Sequence, residues 1–313
     1  MKVSTMTPLP IDMGDGPFAI EVEGVSRRFE ETQALDDLAL AVPEGAVYVL
    51  VGPNGAGKTT LLTMLMGLGA RDSGSLRVHG MDPAARGAEV RANVGYVPEH
   101  QRLGYPWLTV GRYLEHCARL TPGWDREYAA RLCRDFDVDL SKRCDSLSKG
   151  QTRRVQIIAA LASRPAVLLL DEPTDGLDHV IRDVMLGVLA EHFADSPTTA
   201  LISTHRVYEI ERLVDHVGVL RRGRLLGQMP VDDLRGKLRR YWGTAPEDFE
   251  LSLGSGQRVV RTIRGPADAE WTVWGEEQDV VAGLGRAGAT VRDVAPLSLD
   301  EAATALLSQR EIS

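Results

Sequence analysis

The chain has 313 residues, 43% hydrophobic and 26% charged, with 36 Lys and Arg against 44 Asp and Glu and a formal charge of −8. This balance suits a globular protein of about two domains. It speaks against a large nucleic-acid surface, which needs many cations to neutralise phosphates. No run reaches the roughly 18 apolar residues of a membrane span, and the N-terminus lacks a signal-peptide core. Work at a membrane would therefore require a second chain to cross it. Cys117, Cys133 and Cys144 have no metal-ligand spacing and read as reduced thiols.

Residues 1–17 carry Pro, Gly and Asp without a period and read as a tail. Apolar–polar alternation begins at Phe18 and marks a strand. Short buried-strand patterns follow at 47–51, 94–97, 167–170, 200–203 and 217–220. Helical patterns at 59–68, 110–120, 151–162 and 178–193 lie between them. That alternation predicts an α/β fold with a largely parallel sheet over 18–240. The charged, turn-rich stretch 230–246 reads as a soft boundary. Beyond it, 241–313 reads as a small α+β accessory domain. Its expected strands are 249–253, 259–263, 271–274 and 290–294, and its expected helices 280–287 and 298–307. A unit of that size needs support from a neighbouring surface. Trp271 and Trp274, three positions apart, would face opposite sides of a strand, one into the domain's own core and one toward a neighbour. We expect a role there in self-association or partner contact.

The strongest chemical signal is Gly52-Pro-Asn54-Gly55-Ala56-Gly57-Lys58-Thr59-Thr60, between a buried strand and an apolar-faced helix. Glycines let backbone N–H groups converge on phosphate oxygens, and the helix N-terminus favours negative charge. Lys58 has the reach for β- and γ-phosphates, and Thr59 offers a hydroxyl to Mg²⁺. A second apolar strand ends in Asp171-Glu172-Pro173. Strand ends face the ligand crevice of a parallel sheet, which puts Asp171 near the Mg²⁺ and leaves Glu172 to polarise a water for attack on the γ-phosphate.

Leu147-Ser148-Lys149-Gly150-Gln151, directly before a helix, resembles the signature Leu-Ser-Gly-Gly-Gln of the nucleotide-binding subunits of ABC transporters. The resemblance covers about 18–228 and implies an ABC-type P-loop ATPase domain with a helical signature subdomain at about 100–162. It also implies ATP and Mg²⁺ as cofactors. It places Phe29 on adenine, Asp178 in the D-loop, His205 at the γ-phosphate as the switch histidine, and Ser148, Lys149, Gly150 and Gln151 on the nucleotide of a facing subunit. It therefore implies a homodimer, or a heterodimer with another ATPase subunit. An integral membrane permease would be its partner, at the cytoplasmic face of the membrane. Catalysis falls to Lys58, Glu172 and His205.

Two positions depart from the usual pattern. Glu99 stands where the family has Gln; a carboxylate still ligates Mg²⁺ or accepts from water but cannot donate as an amide does. Lys149 replaces a glycine; its long side chain reads as solvated, the alternative being added positive charge beside a γ-phosphate. Tyr105, Trp107 and Tyr113, between the Q-loop and the signature, form a candidate groove for a coupling helix of the membrane subunit. Glu99, the segment 107–110 and the segment 296–301 look most like bacterial exporters of drugs, bacteriocins or peptides.

An importer subunit is the rival within transport. A soluble ABC ATPase acting on DNA or ribosomes fits less well. The stretch between Thr59 and Asp171 leaves no room for long coiled coils, and there is one phosphate loop. A regulatory module that binds ATP without turnover is disfavoured by Glu172 and His205.

Overall fold

The computed structural model describes residues 9, 16–99, 102–246, 249, 254, 256–265 and 268–308. Strands β1 (Phe18–Phe29) and β2 (Thr32–Pro43) form a hairpin, followed by β3 (Val47–Val51), α1 (Lys58–Leu65) and β4 (Ser73–Val78). Next come α2 (Gly87–Asn93), β5 (Val94–Val97), and the helices α3 (Val110–Leu120), α4 (Arg126–Asp135) and α5 (Lys149–Ala162). Then follow β6 (Val167–Asp171), α6 (His179–Asp195), β7 (Thr199–Thr204), β8 (His216–Arg221) and β9 (Arg224–Pro230). The C-terminal elements are α7 (Val231–Lys237), β10 (Leu238–Thr244), β11 (Arg258–Arg264), β12 (Ala269–Trp274), α8 (Glu277–Arg286), β13 (Thr290–Pro296) and α9 (Leu299–Leu307).

The central sheet has the order β5-β6-β7-β3-β8-β9. Its first five strands run parallel, and β9 returns antiparallel to β8. Every residue of β3, β6 and β7 is buried, because a parallel sheet is covered on both faces. Side chains alternate between two cores. Val47, Val49, Val51, Leu168, Leu170 and Ile202 face one core, while Tyr48, Leu50, Leu169 and Leu201 face the other. The second core is closed by α1 and by the antiparallel sheet β2-β1-β4, whose Ile20, Val22, Leu38 and Leu40 point inward. Within it, Tyr48 donates to Gln228 at 3.0 Å, and a Cβ on Gly218 would sit 1.9 Å from the Tyr48 hydroxyl.

Helices α4 and α5 pack together, with α3 against α5. Helix α4 is also fastened to α6. The Tyr128 and His192 rings stack with centroids 5.9 Å apart, and Tyr128 Oη lies 3.2 Å from His192 Nδ1. Thr198 donates its hydroxyl to the Pro165 carbonyl, so it accepts from His192 Nε2, which leaves Nδ1 to accept from Tyr128. This is a neutral imidazole. Burial, with Arg164 nearby, pushes its pKa down to about 4. A histidine depressed from its ordinary value near 6.5 stabilises the fold fully above that value and loses the contribution as pH falls toward 4. At pH 5 the loss is on the order of 2 kcal/mol. Urea unfolding at pH 7 and pH 5 is expected to show His192→Gln losing less stability between the two than the wild type. Equal losses would assign the acid sensitivity elsewhere.

One sequence expectation changes beyond β9. The stretch 230–246, read as a linker, holds α7 and β10, and β10 lies inside the second sheet, ordered β11-β12-β10-β13. Its arginines hid it: Leu238 and Tyr241 are fully buried while Arg239 and Arg240 are half-exposed. The strand expected at 249–253 lies, apart from Phe249, outside the described residues.

Trp271 and Trp274 do face different cores. Trp271 packs with Tyr241, Phe249 and Leu284. Trp274 joins the large core of the ATPase sheet, so the neighbouring surface it meets belongs to the same chain. Helix α9 docks there too, against β8 and the single turn Val207–Glu209. The backbone N–H of Leu299 donates to Glu211 at 3.2 Å.

Candidate nucleotide site

Strand β3 delivers the chain to the loop 52–57, and α1 leaves it at Lys58. Gly57 sits at φ 109°, where a side chain is strained, and a Cβ there would lie 2.4 Å from the Ala34 carbonyl oxygen. The loop is pinned by Ala56 N–H to Pro53 O at 3.1 Å and by Gly223 N–H to Ala56 O at 2.9 Å. Asn54 and Gly55 are exposed at its tip, and the first amides of α1 have no intrahelical acceptor. Lys58 is buried and folds back on its own loop, donating to Gly52 O at 2.7 Å and Pro53 O at 3.3 Å. Thr60, two positions on, is half-buried. Phe29 ends β1, is 49% exposed, and has the Arg27 guanidinium 4.6 Å from its ring centroid.

The end of β6 lies beside this loop. Thr59 Oγ1 donates to Asp171 Oδ2 at 2.7 Å, and Ser203 Oγ donates to Asp171 Oδ1. Glu172 adopts the left-handed backbone region at φ 46°, a strained conformation for a residue with a side chain. Its N–H donates to Ser203 O at 2.9 Å. Its Oε2 accepts from Thr204 Oγ1 at 3.0 Å. Its Oε1 lies 3.5 Å from Lys58 Nζ and 2.9 Å from His205 Nδ1, and no hydrogen bond satisfies it. Arg206 donates to His205 Nε2 at 3.1 Å. Lys58, Thr59, Asp171, Glu172 and His205, spread widely in sequence, thus converge.

The signature begins α5. Ser148 Oγ accepts from the Gln151 N–H at 3.2 Å, and Gln151 Oε1 accepts from the Ser148 N–H at 3.1 Å, a reciprocal capping box. Ser148 and Lys149 are exposed. A Cβ on Gly150 would lie 2.7 Å from Gly176 O, so only glycine fits against the neighbouring loop. Lys149 is not free in solvent: its Nζ donates to Asp175 at 2.7 Å. Asp178 caps α6, accepting from the Ile181 N–H at 3.0 Å.

Three residues that the motifs did not single out complete the arrangement. Arg153, one helical turn beyond Lys149, is 2% exposed and donates to Pro98 O at 2.7 Å and Glu99 O at 2.8 Å. It ties the Q-loop to α5. Burial pulls its pKa down, against the fields of Asp175, Asp171, Glu99 and Glu172. The half-buried Glu99 is thus placed beside this guanidinium by its backbone. Asp175 and Arg206 are the other two. The only signal for all three in the sequence was a charge adjoining a motif.

In the candidate coupling groove, Tyr105 and Trp107 are exposed and meet edge to face at 5.8 Å. Tyr113 instead packs partly buried against the core, and burial pushes its hydroxyl pKa well up.

A glycine-rich phosphate loop, a Thr–Asp pair and a second buried carboxylate at a strand end define a P-loop ATPase site. The ABC transporter family matches residues 35–175. The ABC transporter ATP-binding protein YtrB of Bacillus subtilis is 32% identical over 234 residues, 75% of this chain and 80% of that protein. The daunorubicin resistance ATP-binding protein DrrA2 of Streptomyces coeruleorubidus is 34% identical over 81% of this chain and 79% of its own length. The sulfate/thiosulfate import ATP-binding protein CysA of Salmonella typhi is 33% identical over 79% and 68%. Among solved structures, an ATP-binding subunit of an ABC transporter is 29% identical with a TM-score of 0.63, covering 69% of this chain and 92% of that one. A dimeric bacterial ABC transporter cassette shares the fold at 22% identity and a TM-score of 0.60, over 68% and 98%. The chain belongs to the ATP-binding subunits of the ABC transporter family and is an ATPase.

Proposed function

We propose that this ATPase closes head to tail with a second copy, or with a related subunit, around Mg-ATP and thereby powers export through a separate membrane-spanning subunit. The observation that carries the hydrolytic part is Glu172 Oε1, a buried carboxylate oxygen between Lys58 and His205 with no hydrogen-bond donor satisfying it. That is where a water attacking the γ-phosphate can be polarised. Lys58 would turn from its own loop carbonyls to the phosphates, and His205 would contact the γ-phosphate. Phe29 offers an open ring face for adenine.

Thr59 and Asp171 supply hard oxygen donors in mutual contact. No cluster of three His, Cys, Asp or Glu able to hold a metal occurs among the described residues. That donor set suits Mg²⁺, which takes one or two protein oxygens and fills its shell from phosphate and water. When bound, the ion would neutralise charge on the β- and γ-phosphates. Glu99 would contact its water shell.

The trans arrangement is supported by the exposed N-terminus of α5, where Ser148, Gly150 and Gln151 present a helix end suited to an anionic group. Asp178, exposed beside it, would reach the facing subunit. The solved cassette of the same fold is a dimer. A membrane partner is supported by the names of the relatives and by the exposed Tyr105–Trp107 pair. Among the described residues no helix is long and apolar enough to cross a membrane. The relatives include a drug-resistance protein and an importer, so the export direction rests on the segments 107–110 and 296–301. The site of work would be the cytoplasmic face of the membrane, with no nucleic-acid partner.

Sedimentation of the purified chain is expected to show its mass double with Mg-ATP. Detergent extracts of membranes are expected to yield it with an integral subunit. A chain that turns over ATP as a monomer and never co-purifies with a membrane protein would overturn the proposal.

A further inference from the structure

Lys149 stands where the family signature usually has glycine, and the structure gives its side chain a definite task. Its stem lies over Gly176: a Cβ on that glycine would meet Lys149 Cγ and Cδ, each at 3.0 Å. Gly176 sits at φ 81°, so the left-handed backbone and the missing side chain together leave the space that the stem occupies. The ammonium then reaches Asp175 Oδ2 at 2.7 Å. Asp175 Oδ1 lies 3.4 Å from Arg206 Nη2, Arg206 Nε donates to His205 Nε2 at 3.1 Å, and His205 Nδ1 lies 2.9 Å from Glu172 Oε1. An unbroken polar chain of four contacts thus runs from the signature turn to the base and the switch histidine of the same subunit. Arg206 is held in that position from its other side by Glu209, at 3.4 Å, and Glu209 also pairs with Arg182 at 3.2 Å.

We propose that Lys149 is a positioning residue that, through Asp175 and Arg206, couples the signature turn to the subunit's own His205 and Glu172. In the dimeric reading above, on which this inference rests, the signature meets the nucleotide of the facing subunit. Lys149 would then report one site's occupancy to the catalytic pair of the other. A lysine acting directly on the facing γ-phosphate is the competing role, and geometry separates the two. In this structure the ammonium is engaged with a half-buried carboxylate at 2.7 Å, and its stem is seated against the loop that carries Asp178. The Lys149 hydrogen bond, joined by the fields of Arg206 and Arg153, also holds the Asp175 carboxyl below its ordinary pKa, as a committed ion pair does.

The test is a double-mutant cycle on steady-state turnover, with Lys149→Met keeping the stem but not the charge, and Asp175→Asn keeping the shape but not the charge. Each single variant is expected to lower kcat by roughly three- to fivefold, the weight of one half-exposed ion pair, with little change in KM for ATP. The double variant is expected to fall no further than either single one, because the two residues act as one unit. Lys149→Arg is expected to restore kcat. Losses that multiply in the double variant, or a raised KM confined to Lys149→Met, would overturn the assignment in favour of a direct phosphate contact. Sedimentation with Mg-ATP, run on the same proteins, separates the two levels. A wild type that does not dimerise removes the dimeric reading and this inference together, whereas multiplying losses in proteins that dimerise normally remove this inference alone.

Discussion

Glu172→Gln is expected to cut ATP turnover by about 10²- to 10⁴-fold, the range of a lost general base, while leaving ATP affinity within a few-fold of wild type. The substitution keeps the shape of the side chain and its acceptor for Thr204, which now donates to Oε2 at 3.0 Å. What disappears is the negative oxygen between Lys58 and His205. Asp171, the residue that meets Thr59, is untouched, so the Thr59–Asp171 pair that would hold the metal survives. Phosphate release measured beside nucleotide binding checks both halves. Turnover within about fivefold of wild type would remove Glu172 from the chemistry.

Lys58→Ala is expected to act on the other half. It removes the cation that would meet the phosphates, and a hydrogen bond to a charged group is worth roughly 1.5–3 kcal/mol, so ATP affinity should fall roughly 10- to 100-fold. It also removes one of the two cationic or polar neighbours of a carboxylate that is 5% exposed, which leaves Glu172 leaning on His205 alone at Oε1. Turnover should therefore fall further than affinity does. Calorimetric titration with ATP, together with turnover at saturating nucleotide, separates the two effects. An unchanged affinity would show that the phosphates are held by backbone amides of the loop without the lysine.

Much of the site was legible because its chemistry is local. The phosphate loop is one contiguous turn whose glycines are required by backbone geometry, with φ 109° at Gly57 and the Ala34 carbonyl pressed against it. The strand 167–171 is apolar up to its last residue because both faces of a parallel sheet are covered, so its carboxylate end announced itself. The signature turn was visible through its resemblance to the family motif directly before a helix, and the structure closes it with a capping box between Ser148 and Gln151. What escaped was β10, where arginines interrupt the apolar alternation and only its place between β12 and β13 buries Tyr241. The charged residues that connect the motifs escaped as well.

Sequence alone thus determined which residues line the candidate phosphate loop and the carboxylate strand end, because each is prescribed by spacing along a short stretch of backbone. Tertiary structure decided how those stretches communicate. Arg153 holds the Pro98 and Glu99 carbonyls from another element, Lys149 finds Asp175 across a glycine, and Trp274 seats the C-terminal unit on the ATPase core. Each of these joins residues far apart in the chain. Their pairing depends on which buried or half-buried charge lies opposite, which no local pattern of residue types records.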